Sequence, residues 1–295
     1  MTILNAILIA FTFLISNNSQ TEEIPLPKRL TTYLWSGGDW VPHNTQIEIY
    51  DSNGLKIESR SERLETNEII PFSSELFRYE KGLLKDAVFR RWRGNEWINI
   101  HRKTWSYSTD SNSVVMEKQT FESGEWINLD KETVYKSPIN QIDSIIIQFH
   151  TKGKWKLFLK KIIKYLPNGD TASIIVFSRT DSSWSLSGKS EFNRNKNGKL
   201  LSIVTYNCYK TYKDCRTASI KEYRYQDDGK MSQEIQKTSL SGKLENECQY
   251  IYEYNSDGMI NNKIYLKWEN GKWNNWISKI QEYYYDIDLF IESDK

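Results

Sequence analysis

The side chains that could do nucleophilic, acid–base or metal chemistry are few in this sequence and poorly grouped. His43, His101 and His150 lie far apart with no partner motif, as ordinary strand residues do. The turns Asp51-Ser52-Asn53-Gly54 and Asp227-Asp228-Gly229 carry the oxygen ligands of a calcium loop but lack its six-ligand spacing. No phosphate loop, nucleophile elbow or dinucleotide fingerprint is present. No catalytic residue, metal site or cofactor is therefore assigned. The three cysteines are Cys208, Cys215 and Cys248. In an exported chain an odd count suggests one pair and one free thiol. Cys208 and Cys215 flank the short segment YKTYKD (residues 209–214) and are the favoured pair; Cys215–Cys248 is the alternative.

The chemical weight of the chain is aromatic: 14% of its residues are Phe, Trp or Tyr. Trp97, Trp126, Trp155 and Trp184 follow one another at intervals of 29 residues. Tryptophans in arithmetic progression mark an internal repeat. Ten residues after the Trp there is often a Tyr, and fourteen after it a Gly, as in Trp40, Tyr50, Gly54 and in Trp155, Tyr165, Gly169. Later copies replace the Trp by Cys215 or Leu244 and keep Tyr225, Gly229, Tyr254 and Gly258. Nine anchors result, at positions 40, 68, 97, 126, 155, 184, 215, 244 and 273.

Each repeat reads as a β-hairpin. A run of about ten residues follows the anchor, such as WINIHRKTWSY (97–107). A turn such as DSNG (51–54) or PNG (167–169) comes next, where Gly supplies the left-handed backbone that closes a type I turn. A β-rich run such as SIIIQF (144–149) or SIIVF (173–177) follows, and then a short Gly-bearing turn, as in KGKW (152–155). Residues 154–166 (KWKLFLKKIIKYL) also have the spacing of an amphipathic helix, but their Trp and Tyr, with Gly169 beyond them, fill the slots of the repeat. Roughly eighteen antiparallel strands and no helix are expected.

Side chains alternate at period two, so even offsets from each anchor are expected to share one face. Tryptophans of the anchors form one lane on it, and residues such as Tyr165, Tyr225 and Tyr254 a second. Aromatic neighbours on one face stabilise a sheet by roughly 0.2–1 kcal/mol each, and packing is the simpler reading of both lanes. The functional reading is a platform on which sugar rings stack. Its residues are Trp97, Trp105, Tyr107, Trp126, Trp155, Tyr165, Trp184, Tyr223, Tyr225, Tyr252 and Tyr254.

The first fifteen residues are nearly all apolar, a run too short to span a bilayer as a helix, and polar residues follow. Residues 1–19 are read as a signal peptide and 20–295 as a single repeat domain. Net charge is +2, so no global field draws nucleic acid or membrane. A membrane barrel needs an apolar lipid face on every strand. Residues 244–254 instead carry Glu245, Glu247 and Glu253 on one face and Asn246 and Cys248 on the other. The mature chain is therefore not expected to span a membrane.

The phrase Tyr-x-Tyr-x-x-x-Gly, present as YRYQDDG (223–229) and YEYNSDG (252–258), resembles the tandem YD-type or MORN-like hairpin repeats of bacterial secreted proteins. The Trp-anchored form is similar to uncharacterised exported proteins of Bacteroidota. The resemblance covers residues 40 to about 286 and implies architecture rather than activity. The expected fold is all-β: about nine tandem hairpins in one long twisted meander sheet with free ends, with a closed, soluble, barrel-like sheet as the alternative. The expected function is that of an exported, non-enzymatic structural or protein-interaction repeat of the cell envelope, periplasmic, surface-bound or extracellular. The alternative is a glycan-binding module. The partner is a protein or glycan of the cell surface.

Overall fold

The computed structural model describes residues 29–282, apart from 37–38, 66–67, 111, 181, 241 and 257. The signal-peptide segment lies outside the described residues. Every element is a strand. The first half of the chain comprises β1 (Arg29–Ser36), β2 (Asp39–Tyr50), β3 (Lys56–Glu65), β4 (Glu68–Glu80), β5 (Leu83–Arg93), β6 (Glu96–Tyr107), β7 (Ser113–Glu122), β8 (Glu125–Lys136) and β9 (Ile142–Thr151). The second half comprises β10 (Lys154–Tyr165), β11 (Thr171–Thr180), β12 (Ser183–Arg194), β13 (Leu200–Tyr225), β14 (Met231–Leu240), β15 (Lys243–Tyr254), β16 (Ile260–Glu269) and β17 (Lys272–Glu282). The run with helical spacing is strand β10. Consecutive strands pair antiparallel from β1 to β17.

β13 is two strands in one. Its first arm, from Leu200 to Lys210, pairs with β12, and its second, from Ser219 to Tyr225, pairs with β14. The Tyr225 hydroxyl donates to the Leu200 carbonyl at 2.7 Å, so the arms lie side by side. The meander therefore has eighteen strands, as the repeat predicts.

Its ends differ from the expected free ends. β1 pairs with β2 on one side and with β17 on the other, in register from Arg29↔Glu282 to Leu34↔Ile277. The ladder thus returns to its first strand, which is the barrel-like alternative. The physical reason is that a lone terminal strand would leave a row of unpaired N–H and C=O groups. Right-handed twist carried over eighteen strands brings the two ends together so that each covers the other.

Turn geometry follows the glycines. Asp51 N–H donates to Leu55 O at 2.8 Å and Gly54 N–H to Asp51 O at 3.0 Å, with Gly54 at φ +76°. In the fourth copy Asn140 takes that left-handed slot at φ +62°. Asn tolerates the left-handed region best among residues that have a Cβ. The short turns at 94–95, 123–124, 152–153 and 270–271 are two-residue loops with both residues left-handed, as at Lys152 (φ +50°) and Gly153 (φ +74°). That twist matches the twist of the flanking strands.

Two readings of the repeat need correction. Cross-turn pairing joins Leu64 to Ile69, as it joins Trp92 to Trp97. The second anchor is therefore Ile69, not Glu68, and Tyr79 stands ten residues after it. The larger correction concerns faces. In eight copies the ladder admits one extra residue three positions after the anchor: His43, Phe72, Ile100, Leu129, Phe158, Ser187, Glu247 and Trp276. Each is a β-bulge, and each inverts the side-chain parity of the rest of its strand. Trp97 thus faces with Trp92 and Arg90, while His101, Lys103 and Trp105 face the other way with Phe89 and Ala87. The two aromatic lanes lie on opposite faces of the sheet.

The buried apolar cluster is local: Ile145, Ile147, Leu159 and Ile163, with Val134, Ile174 and Val176 packed against it. Strands make their substantial contacts with their ladder neighbours alone. The protein is a wall one sheet thick, and its core lies within the wall.

Candidate functional site

The lane residues are built into the architecture from both sides. Anchor tryptophans stack across their two-residue turns. Trp92 meets Trp97 at 5.2 Å, Phe121 meets Trp126 at 5.0 Å, His150 meets Trp155 at 5.0 Å and Trp268 meets Trp273 at 4.9 Å, all edge to face. Trp184 has Arg179 over its ring at 5.5 Å, and Trp155 has Lys131 at 4.5 Å. Edge-to-face pairs and cation–π contacts hold these half-buried rings against their own hairpins.

Tyrosines of the other lane are tied by their hydroxyls. Tyr79 donates to the Lys56 carbonyl at 3.0 Å, Tyr107 to Leu84 at 2.9 Å, Tyr165 to Ile142 at 2.6 Å and Tyr254 to Met231 at 2.8 Å. Each acceptor lies 23 residues earlier, near the start of the preceding strand. With Tyr225 on Leu200, this is one bond repeated through the wall. Arg194, which occupies the tyrosine slot of its copy, donates instead to Gly198 O at 3.0 Å. Trp97, Trp105, Trp126, Trp155, Tyr165, Trp184, Tyr223, Tyr225, Tyr252 and Tyr254 are half-buried, and Tyr107 is exposed.

Burial distinguishes the faces. The groups shifted chiefly by desolvation stand on the tyrosine face, with the exception of Tyr206. Glu132 is held above the usual carboxylate range and Lys161 below the usual amine range. Loss of water raises the Tyr223 and Tyr252 phenols and the Cys248 thiol. Side chains crowd where a curved sheet is concave, so the tyrosine face is the inner one and the tryptophan face the outer.

Neither face is apolar. The inner one pairs Lys221 with Glu234 at 3.3 Å and places Glu132 opposite Ile147 in the ladder, two strands from Lys161. On the outer face Arg78 and Arg102 flank Asp86, and Ser74 and Arg90 converge on Glu58 at 2.8 and 3.9 Å. These charges sit at mid-strand. No continuous apolar band of the kind a lipid-facing barrel needs is present among the described residues. No helix of the described chain is long and apolar enough to cross a membrane.

The three histidines stay apart. His43 is an exposed bulge residue of β2, His101 stacks on Phe89 at 6.4 Å, and His150 serves as the aromatic partner of Trp155. Cys208 and Cys215 are joined, and Cys248 is buried and free. The disulfide occupies the cross-turn slot that the aromatic pairs fill elsewhere. It spans seven residues, where Trp92–Trp97 and its equivalents span five, so this turn is two residues longer. Its residues, 209–214, are all exposed. Sequence reasoning treated them only as the loop between two cysteines. The two-residue break in the 29-residue period was the signal that could have singled them out.

No protein-family model and no curated protein matches the sequence. Among solved structures, a porin-like protein from Bacteroides uniformis is similar over 86% of this chain and 95% of its own, at 10% identity and a TM-score of 0.43. A protein of unknown function from Bacteroides fragilis is similar over 40% of this chain and 91% of its own, at 14% identity and a TM-score of 0.36. A TcdB2–TccC3 structure is similar over 83% of this chain and 19% of its own, at 10% identity and a TM-score of 0.22. Likenesses this distant carry no argument about activity.

Proposed function

We propose that the chain is an exported, non-catalytic interaction protein of the bacterial cell envelope: a hairpin-repeat wall that offers its rims and outer face to a partner. The observation that supports this reading best is the commitment of both aromatic lanes to architecture. Tyrosine hydroxyls satisfy backbone carbonyls, and anchor tryptophans are stacked within their own hairpins. A sugar platform on the lanes would have to break those contacts. Export is supported by the apolar run at residues 3–15 and by the disulfide, which persists in oxidising compartments.

A glycan array probed with Tyr165→Phe and Trp155→Ala tests the reading. Both variants should melt earlier than the parent and leave any array signal unchanged. A variant that keeps its melting temperature and loses a glycan signal would restore the platform. Cell fractionation tests export: the expected product is extracytoplasmic and begins near Gln20, and a cytoplasmic chain retaining Met1 would overturn it.

A further inference from the structure

One turn departs from the repeat, and it is the turn that carries exposed aromatics. The other short turns are two residues long and carry no aromatic side chain, as in Gly94-Asn95, Ser123-Gly124, Lys152-Gly153 and Asn270-Gly271. Between Cys208 and Cys215 stand Tyr209 and Tyr212, 72% and 56% exposed. Lys210 lies over the Tyr209 ring at 5.4 Å and Lys189 over Tyr212 at 5.9 Å. Lys213 and Arg216 are exposed beside them. Asp214, the one carboxylate of the segment, is held by the Thr211 hydroxyl at 2.6 Å, and Lys189 is paired with Glu191. In a repeat protein, an insertion confined to one copy maps to a loop, often on the binding face. Here a covalent link stands where an aromatic pair closes four of the other turns, so the longer loop keeps a defined shape at little entropic cost on binding.

We infer that the stapled turn of β13 is a binding site for an acidic polysaccharide: Tyr209 and Tyr212 stack on sugar rings while Lys210, Lys213 and Arg216 pair with carboxylate or sulfate groups. A pyranose offers an apolar C–H face to a tyrosine ring, and an acid on the next sugar reaches a lysine a few ångströms away. Other partners fit less well. A membrane surface calls for aliphatic residues to bury, and residues 209–214 contain none. A stable protein interface needs about 800 Å² per partner, more than six turn residues supply. The inference rests on the interaction reading above and names the partner class.

The test is affinity electrophoresis of the mature, oxidised protein through gels containing polygalacturonate, chondroitin sulfate or neutral dextran. Polyglutamate, single-stranded DNA and anionic phosphatidylglycerol vesicles serve as competitors. The expected result is retardation by at least one acidic polysaccharide and not by dextran. The double variant Tyr209→Ala/Tyr212→Ala should weaken it tenfold or more, and so should Lys210→Glu/Lys213→Glu. Trp155→Ala, a lane variant, should leave it unchanged at temperatures where it stays folded. Because the varied turn residues are exposed, unchanged melting curves verify the fold. Retardation that survives loss of both tyrosines would overturn the site. So would the absence of retardation, or preferential competition by polyglutamate, DNA or vesicles. Each of those results removes the polysaccharide and leaves the non-catalytic interaction reading standing, which the fractionation and lane-variant melts test separately.

Discussion

At the scale of the residue, the anchor and tyrosine slots are structural positions with separable energies. Tyr165→Phe deletes one hydroxyl that donates to the Ile142 carbonyl and leaves the ring in place. It should lower stability by about 0.5–1.5 kcal/mol, the net worth of one intramolecular hydrogen bond. Trp155→Ala removes a half-buried ring, its contact with His150 and the Lys131 ammonium above it. Its loss should be about 1–3 kcal/mol, below that of a fully buried tryptophan, because the slot is partly open to water. Urea melts of the two variants measure both.

His101 gives a pH dependence. Burial chiefly lowers its proton affinity, with Lys118 and Lys103 acting in the same direction and a bond donated by the imidazole to the Gln119 backbone and the charge of Asp130 opposing them. Its folded pKa therefore lies below the unfolded value of about 6.5. Between the two, the unfolded chain holds a proton that the folded chain does not, so stability falls as pH drops through that window and the penalty is complete below the folded value. His101→Gln should lose less stability than the parent between pH 7.5 and 5.5. Equal losses in urea melts at the two pH values would contradict the assignment. Cys248 supplies a simpler check. Its thiol is buried and raised chiefly by desolvation. Oxidised native protein should react slowly with a thiol reagent, and one thiol should appear on unfolding without reductant. Three thiols would contradict the Cys208–Cys215 bond.

At the scale of the element, the sequence shows the hairpins well and their faces poorly. Turns were legible because the closing left-handed position most often holds Gly, which leaves a mark at Gly54, Gly169 and Gly229. Strand runs were legible because they recur between those marks. Bulges were not, because a bulge is a property of pairing and no residue type signs it: Phe72, Ile100, Ser187 and Glu247 occupy the same slot. A period-two count carried through that slot therefore placed both aromatic lanes on one face. The bulge has a testable consequence. Deleting Ile100 alone would remove the extra residue and leave the faces as they are, whereas deleting Asn99 and Ile100 together would turn His101, Lys103 and Trp105 outward among Arg90 and Asp86 and bring Arg102 and Thr104 inward. That exchange should destabilise the chain by more than about 4 kcal/mol, since every inner contact of β6 is lost at once. Deleting Ile100 alone, which keeps Asn99 opposite Arg90 and His101 opposite Phe89, should lose far less. Similar melting of the two would show that the bulge does not set the faces.

At the scale of the whole molecule, the ring is the feature the chain's own repeat conceals. The first and last strands carry weak versions of the repeat, β1 with no tyrosine-slot turn before it and β17 near the end of the described chain, so nothing in their composition announces a pairing. Yet the register passes without a break from Gln46 through Leu30 to Gln281, as a closed ladder requires. Closure also bears on function. It removes both sheet edges, so a partner cannot join by adding a strand, and binding falls to the faces and the turns. Small-angle scattering on the monomer tests the ring most directly. Eighteen strands about 4.8 Å apart and tilted about 40° make a cylinder of radius about 18 Å, with a radius of gyration of about 20 Å. The same strands laid out as an open twisted ribbon would give about 25 Å. A value below about 21 Å is the result the β1–β17 pairing predicts, and a value near 25 Å would contradict it.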